Sequence, residues 1–328
     1  MVGKLFIDGT DAYSEYGVFV EQYGYKGIIQ MPPFKNVTVT EWDESDGEEA
    51  DLMNPVLGSR TFGIQFCFID VAGMGSMCEL LSDKAYHIFE FKELSRSYKL
   101  RLVSNPSYSS FVRTGKFTLN FADDFPPVVV DENTDISGLD EYTLPLNDKP
   151  FDSAPAGLVQ NGYSIDNIDF SRFGVYLVEG TMDSLRKAPE VRSNLKSESR
   201  ENPGVVYDGE NVHYKAKDTP LKLFILAEDI NDFWSRWNKL FTALLQPELR
   251  SLYIDDTLED YECYYKSNAV TKFDILQNGR IWCEFTVTMR FVNARPSENY
   301  LVLSTEDSQV ITTEPEEGDI IIRVIYNK

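Results

Sequence analysis

Phe62-Gly63-Ile64-Gln65-Phe66-Cys67-Phe68 and Leu221-Lys222-Leu223-Phe224-Ile225-Leu226-Ala227 decide how this chain is read. Apolar residues recur at every second place: Phe62, Ile64, Phe66 and Phe68 in one run, Leu221, Leu223, Ile225 and Ala227 in the other. Side chains alternate faces along a strand, so each run has one buried face. The two runs stand 159 residues apart, position for position. Asp70 and Asp229 follow them at the same offset, and each can cap a helix. After Asp229, the residues Ile230, Phe233, Trp234, Trp237, Leu240, Phe241, Leu244 and Leu245 form a continuous apolar stripe at helical spacing. After Asp70, Val71, Met74, Gly75, Cys78 and Leu81 take the corresponding places. Gly73 and Gly75 each weaken that helix by roughly 1 kcal/mol relative to Ala, so the first helix is expected to be shorter or frayed.

The duplication extends outward from this unit. Upstream, Ile7-Asp8-Gly9-Thr10-Asp11 matches Ile165-Asp166-Asn167-Ile168-Asp169, and Tyr16-Gly17-Val18 matches Phe173-Gly174-Val175. Downstream, each helix leads to a hairpin pattern. His87, Phe89 and Phe91 precede Tyr98, Leu100 and Leu102; Leu252 and Ile254 precede Tyr261, Cys263 and Tyr265. Each half closes on a strand, Phe117–Phe121 and Phe285–Phe291. The fold class expected is mainly β (α+β): two tandem β-sandwich or split-barrel domains, each with one packed helix. Long polar excursions interrupt both copies, Glu41–Arg60 and Asn194–Thr219. Loops of that length tend to carry function.

Charge marks the domain borders. The chain has 328 residues, 31 Lys+Arg and 53 Asp+Glu, a net charge of −22. Residues 1–121 carry −5, 122–162 carry −8, 163–295 carry −4 and 296–328 carry −5. We therefore expect a first domain at 1–121, an acidic Pro/Asp-rich connector at 122–162, a second domain at 163–295, and an acidic C-terminal segment at 296–328 with a final strand over Ile320–Tyr326. No apolar run reaches the length of a membrane span, and the N-terminus has no secretory signal pattern. The acidity disfavours general binding to phosphate backbones. Cys67, Cys78, Cys263 and Cys283 lack metal-site spacing and read as small buried hydrophobes in a reducing compartment.

Chemistry-bearing motifs are sparse. His87 sits in a strand pattern and reads as packing; His213 sits in the second excursion and reads as solvated. Gly73-Met74-Gly75-Ser76-Met77 lacks the Lys of a phosphate loop and the third Gly of a dinucleotide fingerprint. The crowded acids Asp43, Glu44, Asp46, Glu48, Glu49 and Asp51, and Asp255, Asp256, Glu259 and Asp260, do not match a calcium loop and read as solvated. Asp8 with Asp11, and Asp166 with Asp169, recur in equivalent places, which favours turn chemistry over a catalytic pair. The stripe Phe233, Trp234, Trp237 and Phe241 reads as core. No catalytic, metal or cofactor site is assigned, and a non-enzymatic role is expected.

The repeat resembles the tube-forming domain of bacteriophage tails. Its opening, Ile7-Asp8-Gly9-Thr10-Asp11 followed by Tyr16-Gly17-Val18, is similar to that of distal tail proteins of long-tailed phages. A typical distal tail protein has one such domain followed by a galectin-like one and forms a hexamer. Two tube-like domains per chain resemble baseplate hub proteins, in which three chains give six quasi-equivalent positions. Both assignments stay open. The resemblance implies a virion structural protein at the tail tip, assembled in the host cytoplasm. It implies a trimeric or hexameric ring that contacts the tail tube protein and the tip, hub or receptor-binding proteins. DNA would pass an acidic lumen without specific binding, because carboxylates repel phosphate. The competing reading is a twin β-sandwich carbohydrate-binding module with Trp42, Tyr163 or Tyr253 as platforms. On the ring reading, the excursions are assembly contacts through Leu52, Met53, Val56 and Leu57 in the first and Val205, Val206 and Tyr207 in the second. They are expected to become ordered on assembly. Deleting Glu44–Asp51 is then expected to leave the melting temperature nearly unchanged while blocking assembly.

Overall fold

The structure, a computed structural model, describes residues 1–125 and 162–294 apart from Asp43, Lys84, Val112, 193–195, Asn202, 208–211, Asp256 and Leu258. Most of the connector expected at 122–162, and the segment 296–328 with its expected strand, lie outside the described residues.

The first copy runs β1 (Leu5–Ile7), β2 (Thr10–Asp11), α1 (Ala12–Tyr16), β3 (Val18–Val20), α2 (Lys26–Ile29), β4 (Thr38–Thr40), β5 (Glu49–Asp51), β6 (Arg60–Phe68), α3 (Val71–Leu81), β7 (Tyr86–Phe91), β8 (Arg96–Phe111) and β9 (Thr114–Asp123). The second runs β10 (Tyr163–Ile165), β11 (Ile168–Asp169), β12 (Tyr176–Leu177), α4 (Thr181–Arg186), β13 (Lys196–Ser197), β14 (Val206–Tyr207), β15 (Lys217–Ala227), α5 (Ile230–Leu244), β16 (Arg250–Ile254), β17 (Glu259–Ile275) and β18 (Ile281–Phe291). A 3-10 turn, Phe170–Phe173, replaces α1 in the second copy.

Each copy builds one seven-stranded antiparallel sheet. The orders are β2-β1-β7-β8-β9-β6-β3 and β11-β10-β16-β17-β18-β15-β12, the same topology twice. The protein is mainly β, as its alternation requires. Phe62, Ile64, Phe66 and Phe68 are buried on β6; Leu221, Leu223, Ile225 and Ala227 are buried on β15. Phe66 stacks on Phe117 of β9 at 5.4 Å.

Both helices start at the aspartates that the sequence marks. Asp70 accepts the Gly73 N–H at 2.9 Å; Asp229 accepts those of Asn231 and Asp232, both at 2.8 Å. With its two glycines, α3 has 11 residues against 15 in α5. On α5, Phe233, Trp237 and Phe241 enter the core, and Trp237 lies 4.8 Å from Phe285 of β18. Trp234 does not belong to that core alone. Its indole N–H donates to the Leu94 carbonyl of the first copy at 2.7 Å, and the Arg96 guanidinium lies 4.0 Å above its ring. Tyr25 and Phe273 meet edge to face at 6.4 Å, so the apolar core runs from one copy into the other.

Candidate assembly interface

The chain from Met31 through the first excursion is bound to the second copy at several points. The contact begins upstream of the excursion, where the Met31 N–H donates to Asn268 Oδ1 at 3.0 Å. The Tyr265 hydroxyl lies 3.1 Å from both the Met31 and Pro32 carbonyl oxygens, and the Phe34 ring meets that of Tyr265 at 5.7 Å. The chain then forms the β4–β5 hairpin, with Thr38 opposite Asp51 and Thr40 opposite Glu49. Between these strands the turn descends onto the second sheet. Gly47 N–H donates to the Tyr214 carbonyl at 2.7 Å, Tyr214 N–H to Asp46 Oδ1 at 2.8 Å, and Glu48 N–H to the Val292 carbonyl at 2.9 Å. Gly47 has φ +71°, and a Cβ there would collide with the Val292 carbonyl. Only glycine fits both the left-handed backbone and the close approach.

Two acids that the sequence suggests are solvated, Glu48 and Asp46, are anchored here, together with Glu41. Glu48, with a side chain only 2% exposed, places Oε2 2.6 Å from Arg290 Nη2 and Oε1 3.1 Å from Arg290 Nε. The Tyr264 hydroxyl donates to the same carboxylate at 3.0 Å. The buried Arg192 guanidinium donates to the Ser45 carbonyl at 3.0 Å, to the Glu41 carboxylate at 3.1 Å, and to the Gly47 carbonyl. Asp46 accepts from Tyr214 and lies 3.6 Å from His213, which is therefore half-buried rather than free in solvent. A bidentate carboxylate–guanidinium contact out of water is stronger than a neutral hydrogen bond. It holds Arg290 above its ordinary pKa, and burial together with Glu48 raises the Tyr264 phenol.

The candidate contact residues separate accordingly. Leu52 is 4% exposed and packs with Tyr264 and Val292 inside its own chain, while its carbonyl accepts the Glu248 N–H at 3.0 Å. As an anchor that becomes ordered only on assembly it must be set aside, because its partner is already present. Leu57 is half-buried and bridges to Phe34. Met53 and Val56 are exposed, as are Val205, just before β14, and Val206, on β14 with Tyr207. Of the three candidate sugar platforms, Tyr163 is buried in the core, Tyr253 is half-buried and Trp42 is exposed.

The opening motif also has a structural use in both copies. Asp11 accepts the Ser14 N–H at 2.7 Å and Asp169 the Ser171 N–H at 2.8 Å, which is local turn chemistry. Asp8 and Asp166 do something else: they bind the neighbouring strand. Asp8 accepts the Ile88 N–H at 2.8 Å, and Asp166 accepts the Ser251 N–H at 2.9 Å. The second oxygen of each meets a cation or its equivalent, His87 at 2.6 Å and Arg250 at 2.8 Å. His87 is thus buried but not apolar packing, since its other nitrogen lies 3.1 Å from Asp83. Burial pulls its pKa down, but the bonds to Asp8 and Asp83 outweigh this and the net shift is upward. Sequence alone could not show this partner, because Asp83 and Asp8 flank different elements. Gly17 and Gly174 close the motif with φ +64° and +66°. Cys263 and Cys283 are buried, whereas Cys67 and Cys78 are half-buried, and none is in a disulfide. Among the described residues, no group of three or more His, Cys, Asp or Glu is arranged to hold a metal ion, and no helix is long and apolar enough to cross a membrane.

No family model matches the chain, and no curated protein matches it. Among solved structures it is similar to the crystal structure of the Dit protein (gp 19.1) of phage SPP1, described as a paradigm of the hub adsorption apparatus in phages infecting Gram-positive bacteria. The identity is 10%, the match covers 88% of this chain and 98% of that one, and the TM-score is 0.29.

Proposed function

We propose that this chain is a non-enzymatic structural protein of a phage tail, a ring component that joins the tail tube to the distal tip. The observation that carries the reading is the one-way docking of duplicated units. Two copies of one sheet topology lie in a single chain, and the excursion of the first grips the second. Units that each grip the next are the element from which a closed ring is made. The shared opening motif, with an aspartate binding the neighbouring strand and a left-handed glycine in both copies, supports the tail-tube resemblance. The net charge of −22 suits a channel through which DNA slides without adhering. The reading calls for no cofactor and no membrane span. Its partners are further copies of the chain, the tail tube protein and the tip or receptor-binding proteins, and its place is the virion.

Negative-stain imaging of the purified protein, alone and with the tail tube protein, tests this. Rings with three- or six-fold symmetry that stack on tubes are expected. A protein that is monomeric at high concentration and monomeric in virions overturns the reading.

A further inference from the structure

The two excursions differ in what they touch. β4–β5 lies over the outer face of the second sheet, where Tyr264 and Val292 are 7% and 4% exposed. The matching hairpin, β13–β14, leaves Val205 and Val206 at 51% and 74% exposure.

Strand register locates the surface on the first sheet that corresponds to the covered one on the second. Tyr86 pairs with Arg101, and Arg101 with Ala122. In the second sheet Tyr264 pairs with Arg290, and Leu249 stands one place before the Arg250–Cys263 pair. Leu249, Tyr264 and Arg290 therefore correspond to Tyr86, Arg101 and Ala122. Tyr264 is buried with Leu52 beneath the first excursion, and Leu249 is half-buried against them. Their counterparts form an open corner. Tyr86 and Phe125 lie 5.4 Å apart, with Lys99 5.2 Å above each ring. Tyr86, Ile88, Val103 and Phe125 are all exposed. A grouped apolar patch of this kind marks a contact surface.

We propose that the β13–β14 hairpin of one copy of this chain docks on the Tyr86–Ile88–Phe125 corner of a second copy. The contact repeats between chains the docking that each chain makes within itself. Within the chain, hairpin and surface are already matched once; one hairpin and one equivalent surface are left over, on opposite copies. A second chain supplies the complement of both. The signs of charge repeat as well. Within the chain, acids of the hairpin meet Arg192 and Arg290; between chains, Glu198 and Glu201 near the hairpin would meet Lys99 of the corner, beside Arg101, which Asp124 already holds at 3.0 Å, with Arg200 also nearby. Head-to-tail contacts of this kind close into a ring when the rotation per step divides a full turn.

The inference rests on the ring reading and names the surface that makes the ring. The test compares the wild-type chain with Val205→Glu/Val206→Glu, with Ile88→Lys, and with the three changes combined. Light scattering reads the oligomer mass and circular dichroism the fold. Each charged variant is expected to keep its melting curve and to assemble at least about tenfold more weakly, because an unpaired charge is forced into the contact. The combined variant, with opposite charges facing each other, is expected to recover assembly. A hairpin variant that assembles like wild type overturns this proposal and leaves the ring reading standing. A wild-type chain that is monomeric in solution and in virions overturns both.

Discussion

Removing the Glu48 carboxylate should loosen the grip of the first copy on the second by a measurable amount. The carboxylate is nearly inaccessible and meets both Arg290 and the Tyr264 hydroxyl. Deleting one partner of a buried ion pair costs about 3–5 kcal/mol, because the other charge is stranded. Arg290 is not fully stranded here. Its side chain is 20% exposed and keeps a contact to Asp218 at 3.1 Å. Water and Asp218 recover part of the loss, which leaves about 2–3 kcal/mol for Glu48→Ala. The assay is limited proteolysis under native conditions, following cleavage between residues 41 and 58. If local opening precedes cleavage, that energy raises the opened fraction, and with it the cleavage rate, roughly 30- to 160-fold. Arg290→Met should give a similar increase, and the double variant should be far less than additive, with a coupling of about 2 kcal/mol. Cleavage of Glu48→Ala within about twofold of wild type would refute the reasoning, since the carboxylate would then contribute nothing to holding the hairpin. The same logic reverses the sequence-based expectation for deleting Glu44–Asp51: the deletion removes Asp46, Gly47 and Glu48 together and should lower the melting temperature.

Leu52→Ala should destabilise the protein by about 2–4 kcal/mol in urea unfolding, whereas Met53→Ala, one residue away and exposed, should stay within about 0.5 kcal/mol. Gly47→Ala adds a Cβ where the Val292 carbonyl sits, at positive φ. It should reproduce the protease sensitivity of Glu48→Ala without any change of charge, as read by the same cleavage assay. For His87 the folded pKa is raised, so its contribution to stability is complete below about pH 6.5 and is lost as pH rises through the folded value. An NMR titration should place the His87 midpoint above 6.5, and Asp8→Asn should lower it; a midpoint at or below 6.5 in the wild type contradicts the Asp8–His87–Asp83 arrangement.

Much of the architecture is legible in the chain because alternation with one buried face admits few interpretations. The runs on β6 and β15, the caps Asp70 and Asp229, and the difference in helix length between α3 and α5 all follow from local rules. What escaped is long-range. Glu48 and Arg290 are separated by 242 residues, and nothing near either signals the other. An acid-rich stretch looks solvated until its distant partners are placed, Arg192 for Glu41, the Tyr214 N–H for Asp46 and Arg290 for Glu48, which is why these acids read as loop. Leu52 was legible as an anchor but not as one whose partner lies in the same chain. Trp234 shares its helical stripe with Trp237, yet it stands one residue beyond Phe233 on the helix and its indole turns toward Leu94. The helices α2 and α4, of 4 and 6 residues, are too short to show a period. Val205 and Val206 were legible as candidate contacts, and they remain exposed.

The span of that grip also sets an order of events during synthesis. The Glu48 side of the contact leaves the ribosome 242 residues before Arg290 does. At about 5–20 residues per second, the interval is roughly ten to fifty seconds. Throughout it Leu52, Phe34 and the Glu48 carboxylate have no surface to bind, although β6 to β9 can already fold. The newborn N-terminal copy therefore passes through a state with an unsatisfied apolar strap. Two nascent chains on one message could exchange straps in that window, each closing on the other's C-terminal copy. A slower-translated stretch after residue 125 would lengthen the exposure, and a faster one would favour closure within a single chain.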